Sequence, residues 1–142
     1  MVTFLIVRHG YSETNKRGIF AGSTNAELDE KGVAQGKLVC EYISKNYKVD
    51  AIYSSDLSRA VQTAQYVADK TGLEITKSEK LRELYAGEWD GTSFETILND
   101  YADDWKIWCD DVGNSRCTGG ESVKELGERF IGALEAIAKE ND

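Results

Sequence analysis

Short apolar runs alternate along this chain with longer stretches in which apolar side chains recur every three or four residues. Val2 to Val7 is a near-continuous apolar run of the kind found in strands buried in parallel sheets. Gly10 to Leu28 follows as a long polar, glycine-containing loop without periodicity, and loops of that length are usually functional or disordered. Asp29 predicts an N-cap for a helix through about Lys45, with Val33, Leu38, Tyr42 and Ile43 near one face. Ala51 to Tyr53 predicts a second strand. Ser54-Ser55-Asp56 then turns into a helix from Leu57 to about Lys70, with Asp56 as its cap and Gly72 just past its end. Ala60, Val61, Ala64 and Val67 give that helix its apolar stripe. Leu73 to Thr76 predicts a third strand, Leu81 to Gly91 reads as irregular, and Phe94 to about Trp108 is helical in pattern. Glu121 to Lys139 predicts a final helix carrying Val123, Leu126, Phe130, Leu134 and Ile137.

Strands alternating with helices predict an α/β fold, a three-layer α/β/α arrangement with a mostly parallel sheet and right-handed crossovers. A chain of 142 residues fits one domain over 1–142 and can bury about two thirds of the surface its unfolded form exposes. Proline is absent, so glycine marks most chain reversals.

Charge narrows the partners. A formal charge of -8 argues against nucleic acid and anionic membrane, which need a basic face to meet phosphate. It leaves room for a small phosphorylated substrate, because a few arginines gathered in a pocket outweigh a distant acidic surface; solubility is the plainer account of the acidic excess. Cys40, Cys109 and Cys117 form no C-x-x-C pair and are odd in number, which suggests neither a disulfide framework nor a zinc site. With no signal-type amino terminus and no run long enough to span a bilayer, a soluble cytoplasmic protein is expected. A homodimer is admissible, but nothing in the sequence requires one.

The only histidine, His9, follows directly on the first apolar run, at the carboxyl end of a strand, where ligands collect in open α/β sheets. Phosphoryl transfer needs an in-line nucleophile, fixed positive charge on the non-bridging oxygens and a proton for the leaving oxygen. A neutral imidazole at His9 could be the nucleophile. Arg8 and Arg59 could supply bidentate guanidinium donors, Asn15 a neutral donor, and the helix after Asp56 its amino-terminal dipole. Glu83 is the best general acid, a role that requires its proton to be held near neutrality by burial or by a nearby phosphate. Taken singly, each has a duller reading: His9 as a packing or capping residue, Arg59 and Glu83 as solvated surface charges.

Jointly they form a pattern. Leu5-Ile6-Val7-Arg8-His9-Gly10-x-Ser12-x-x-Asn15, then Ile52-Tyr53-Ser54-Ser55-Asp56-Leu57-x-Arg59-Ala60-x-Gln62-Thr63-Ala64, then Leu81-Arg82-Glu83-x-x-x-Gly87-x-Trp89-x-Gly91, then Gly119-Gly120-Glu121-Ser122 closely resembles the histidine phosphatase superfamily, also called phosphoglycerate mutase-like. The resemblance covers nearly the whole chain. It implies that His9 is transiently phosphorylated, that Arg8 and Arg59 hold the phosphoryl oxygens with help from Asn15, and that Glu83 gives and takes the proton. Ser12, in the first motif, and Gly22, matching a substrate-side glycine, complete the candidate substrate-binding set. The resemblance implies neither metal nor organic cofactor.

Three departures stand out. Asn25 and Glu27 replace a frequent Asp and Pro, and Thr118 a frequent Pro; at loop positions these imply altered rigidity more than lost chemistry. The family also carries a second catalytic histidine in a Ser-His-Gly motif, on a central strand after the last helix. This sequence stops at Asp142, before that strand would begin, so the resemblance implies a fragment of a longer enzyme or a shortened relative. Loss of that donor would cost on the order of a hundredfold in rate, and loss of the strand would leave unpaired sheet edges.

Mutases of the family carry a long insertion between the segments matching Glu83 and Gly119. Here only Leu84 to Thr118 intervene, including Trp89, Phe94, Tyr101, Trp105 and Trp108, which either line a substrate pocket or form core. The short segment points to a phosphomonoester phosphatase acting on a small phosphorylated metabolite and releasing inorganic phosphate. The alternatives are a phosphoglycerate mutase-type transfer, and a non-catalytic binding protein that keeps the fold.

Overall fold

A computed structural model describes residues Met1–Asn141. Its contacts gather the chain into two compact units, one of residues 7–17 and 25–79 and the other of residues 1–6, 18–24 and 80–141.

The first unit holds helix α1 (Glu13–Lys16), α2 (Glu30–Asn46), strand β1 (Ile52–Ser54), α3 (Ser58–Thr71) and strand β2 (Ile75–Lys77). β1 and β2 pair in parallel, Ile52 opposite Ile75, with α3 as the crossover, so the unit contains one βαβ motif of an α/β fold. Asp29 caps α2 as expected, accepting the Gly32 N–H at 2.8 Å. Asp56 does not cap α3: the N-cap is Leu57, and the Ser58 N–H goes to Asn25 Oδ1 at 2.8 Å. A residue distant in sequence thus meets an orphan donor of the first turn, which local capping rules do not foresee. Cys40, Ile43 and Val67 form the buried core, covered by Val39, Val49, Ile52 and Tyr66.

The second unit holds α4 (Phe94–Asp100), α5 (Ala102–Asp110) and α6 (Val123–Glu140), with 3₁₀ turns at Glu79–Leu81 and Gly87–Trp89. The single helix expected from Phe94 to about Trp108 is two, broken at Tyr101, whose φ of -125° and ψ of 33° leave the helical region. α6 begins two residues later than expected, because the Ser122 hydroxyl accepts from the Glu125 N–H and the Glu125 carboxylate returns to the Ser122 N–H, a capping box. Its core is Leu84, Ala86, Trp89, Ile97 and Cys117, flanked by Phe20, Tyr101, Trp105, Trp108 and Leu126. The aromatic residues between Leu84 and Thr118 therefore mostly pack on one another, Trp89 meeting Phe20 and Trp108 edge-on. Burial pushes the Cys117 thiol up to about 11, so it fills space as a protonated side chain.

The first expected strand differs most from expectation. Val2 to Val7 joins no ladder among the described residues, and Phe4, Leu5, Ile6 and Val7 are 37%, 39%, 68% and 44% exposed. An apolar run specifies a buried strand only where a neighbour pairs its backbone and covers its side chains. No helix among the described residues is long and apolar enough to cross a membrane.

Candidate active site

The first unit builds a site around the turn that follows Val7. Gly10 lies against α2 so closely that a Cβ there would come within 2.5 Å of the Gly32 carbonyl oxygen, and a Cβ on Gly32 would come within 1.9 Å of the Tyr11 carbonyl oxygen. Two glycines are needed for that approach. The Tyr11 N–H donates to Gln35 Oε1 at 2.8 Å, and the Tyr11 carbonyl accepts the Asp29 N–H at 3.1 Å. The Gly10 N–H donates to the Thr63 hydroxyl at 3.0 Å, and that hydroxyl donates to the Arg59 carbonyl at 2.7 Å. A buried threonine one turn along α3 thereby ties the His9 turn to the backbone of Arg59.

His9 is half-buried, and its Nδ1 lies 2.7 Å from the Gly10 carbonyl oxygen. A carbonyl only accepts, so Nδ1 carries the proton and Nε2 keeps the lone pair in the neutral ring. Arg8, His9, Tyr11, Asn15 and Gln35 line a cavity of about 510 Å³. Arg8 is exposed, and no carboxylate pairs with it among the described residues. The Ser12 N–H and hydroxyl both donate to Asn15 Oδ1, at 3.0 and 2.8 Å. That occupies the amide oxygen and leaves the Asn15 NH₂ as the donor available to a ligand. Ser12 is fully buried, its hydroxyl also capping α1 through the Asn15 N–H. Arg59 is 1% exposed in the first turn of α3 and is not among the residues lining this cavity; a guanidinium so buried must have acceptors or an anion to meet.

Gly22 and Glu83 belong to the second unit, where Gly22 lies against Leu84 and Ala86. A Cβ on Gly22 would sit 1.8 Å from the Leu84 carbonyl oxygen, so only glycine fits beside the residue that follows Glu83. The Asp90 carboxylate accepts from the N–H groups of Gly22, Ser23 and Thr24 at 3.2, 2.6 and 3.0 Å and from the Thr24 hydroxyl at 2.6 Å. Glu83 is exposed, with Oε1 accepting the N–H of Leu84 at 3.1 Å.

Four residues of this framework escape a reading by residue type. Thr63 and Gln35 act through backbone groups remote in sequence, and Asp90 and Gly32 have no chemistry of their own to advertise them. The one sequence signal for Thr63 is its place in the Arg59-Ala60-x-Gln62-Thr63 motif. Among the described residues, no three or more His, Cys, Asp or Glu side chains gather where they could hold a metal ion.

Comparison with known proteins gives this arrangement a family. Over 139 residues the chain is 34% identical to phosphoserine phosphatase 1 of Hydrogenobacter thermophilus, covering 98% of this chain and 65% of that one. Over 132 residues it is 35% identical to the phosphoglycerate mutase of Schizosaccharomyces pombe, covering 89% and 62%. The structure of the mycobacterial glucosyl-3-phosphoglycerate phosphatase in complex with VO3 matches with a TM-score of 0.84 at 29% identity, over 92% of this chain and 64% of that one. The chain thus spans just under two thirds of the length of these relatives. Residues 4–142 match the family description itself, and the chain belongs to the histidine phosphatase superfamily, branch 1.

Proposed function

We propose that this chain carries the phosphoryl-transfer site of a phosphomonoester phosphatase acting on a small phosphorylated metabolite. The observation that supports it best is the cavity lined by Arg8, His9 and Asn15 together, in which the hydrogen bond from His9 Nδ1 to the Gly10 carbonyl makes Nε2 the ring nitrogen with the lone pair. Nε2 attacks phosphorus in line, the P–N bond forms as the ester P–O bond breaks, and Glu83 gives its proton to the leaving oxygen. Arg8 and Arg59 hold the non-bridging oxygens, and Asn15 adds a neutral donor. Water then attacks the phosphohistidine, Glu83 takes its proton, and inorganic phosphate leaves. Ser12 shapes the loop that presents Asn15, and Gly22 stands on the substrate side. The work is done in the cytoplasm by a single domain, without metal or organic cofactor.

The names of two relatives, a phosphoserine phosphatase and a glucosyl-3-phosphoglycerate phosphatase, support a small phosphorylated substrate. So does the shortness of the stretch from Leu84 to Thr118, which is more like the phosphatases of the family than its mutases. The mutase relative favours a second reading, return of the phosphoryl group to the substrate. Incubation with phosphoserine and with a phosphoglycerate separates the two by product. Release of inorganic phosphate, inhibited by vanadate and lost in His9→Ala, is expected; an isomerised ester supports the mutase, and neither product supports a binding protein.

A further inference from the structure

The stretch from Leu81 to Tyr85 that carries Glu83 has almost no regular structure, so its backbone groups depend on partners from elsewhere. One side chain supplies partners for two of them and for the carbonyl of Lys80 just before. Arg129, on α6, donates through Nη1 to the carbonyls of Lys80 and Arg82 at 2.8 and 3.1 Å, and through Nη2 to the carbonyl of Glu83 at 3.3 Å. The same guanidinium meets Glu121 in a two-pronged pair, Nη2 to Oε1 at 2.5 Å and Nε to Oε2 at 3.4 Å. Glu121 in turn accepts the Tyr85 N–H at 2.8 Å, and its own N–H donates to the Tyr85 carbonyl at 2.8 Å. The backbone is thus held on both sides of Glu83. The pair is well covered, its side chains 26% and 16% exposed, so solvent screens it little.

A staple meant only for stability needs no such aim. Three carbonyls within four residues converge on one planar fork, which fixes the path of the Glu83 backbone and with it the direction in which the side chain leaves. We infer that Arg129 and Glu121 are positioning residues that set the direction of the Glu83 carboxylate, an inference that rests on the phosphatase reading for the role of Glu83. A misdirected acid harms substrates in proportion to their need for a proton: an alkyl phosphate such as phosphoserine requires one on its leaving oxygen, and 2,4-dinitrophenyl phosphate does not.

The test compares Arg129→Met, Arg129→Lys and Glu121→Gln with the unaltered chain and with Glu83→Gln, each first shown to be folded by circular dichroism. Two readouts are taken, amide hydrogen exchange over residues 81–85 and hydrolysis of the two esters. Faster exchange is expected in all three variants, with kcat for phosphoserine falling at least about tenfold, kcat for the activated ester by less than about threefold, and the same pattern in Glu83→Gln. Arg129→Lys keeps the charge but loses the fork, and is expected to behave like Arg129→Met. Unchanged exchange overturns the inference whether or not the chain hydrolyses anything. Faster exchange with a parallel loss on both esters also overturns it, since the pair is then only structural. A Glu83→Gln variant that treats both esters alike overturns the proton-donor reading of Glu83 instead, and exchange alone then decides whether the pair holds the segment.

Discussion

At the scale of single residues, Thr63 does more than its modest chemistry suggests. Its hydroxyl relays between the Gly10 N–H and the Arg59 carbonyl, and the Gly10 carbonyl receives the His9 Nδ1 proton. Thr63→Val keeps the shape but strands a buried N–H, at a cost of about 1–3 kcal/mol; Thr63→Ser keeps the bond and most of the stability. Because His9 is the only histidine, its ring nitrogens can be read without assignment in a long-range ¹H–¹⁵N spectrum. The Nδ1–H tautomer is expected in the unaltered chain and a mixture of tautomers in Thr63→Val. A dominant Nε2–H form in the unaltered chain would contradict the role given to His9.

Among the elements, α6 carries a capping box that can be tested by pH. The Ser122 N–H, more than any other group, holds the Glu125 carboxyl below its ordinary value of 4.5. A carboxyl so lowered in the folded state adds stability above its unfolded value and loses it as pH falls through the folded one. Thermal melts of the unaltered chain and Glu125→Gln should therefore differ at neutral pH and converge in acid, while Ser122→Ala should cost about 1 kcal/mol at neutral pH. A gap that stays constant down to strong acid would refute the linkage. Capping also shows what was legible in the sequence. Asp29 is a local signal and caps α2 as read, whereas Asp56 is the same signal and does not cap α3, because Asn25 from another segment takes the place. Periodicity located α2, α3 and α6 to within two residues, since their apolar stripes repeat over several turns. It missed the break at Tyr101, where the aromatic spacing runs on past the bend. That Arg8, His9 and Asn15 line one cavity was legible because the three lie within eight residues of one another in a single loop. Thr63, Asp90 and Arg129 were not, because they act on backbone groups whose places only the fold determines.

For the whole molecule, the unpaired stretch from Phe4 to Val7 matters most. Exposed apolar side chains on a stretch that joins no ladder among the described residues favour association with another chain. Sedimentation at rising concentration should show association of the unaltered chain, reduced in Ile6→Lys, which alters a side chain 68% exposed and leaves the His9 turn alone. A monomer at every concentration tested, for both chains, would show that the stretch is not adhesive. The charge of -8 is no obstacle to the proposed chemistry, since Arg8 reaches the cavity unpaired with any carboxylate among the described residues.

Covalent uptake of phosphorus by the imidazole of His9 is read by intact mass measurement after a rapid quench. Incubated with an aryl phosphate, the unaltered chain should carry one phosphoryl adduct that is stable to base and lost in acid, and His9→Ala should carry none. Phosphate release without an adduct, or an adduct that persists in His9→Ala, would contradict the account.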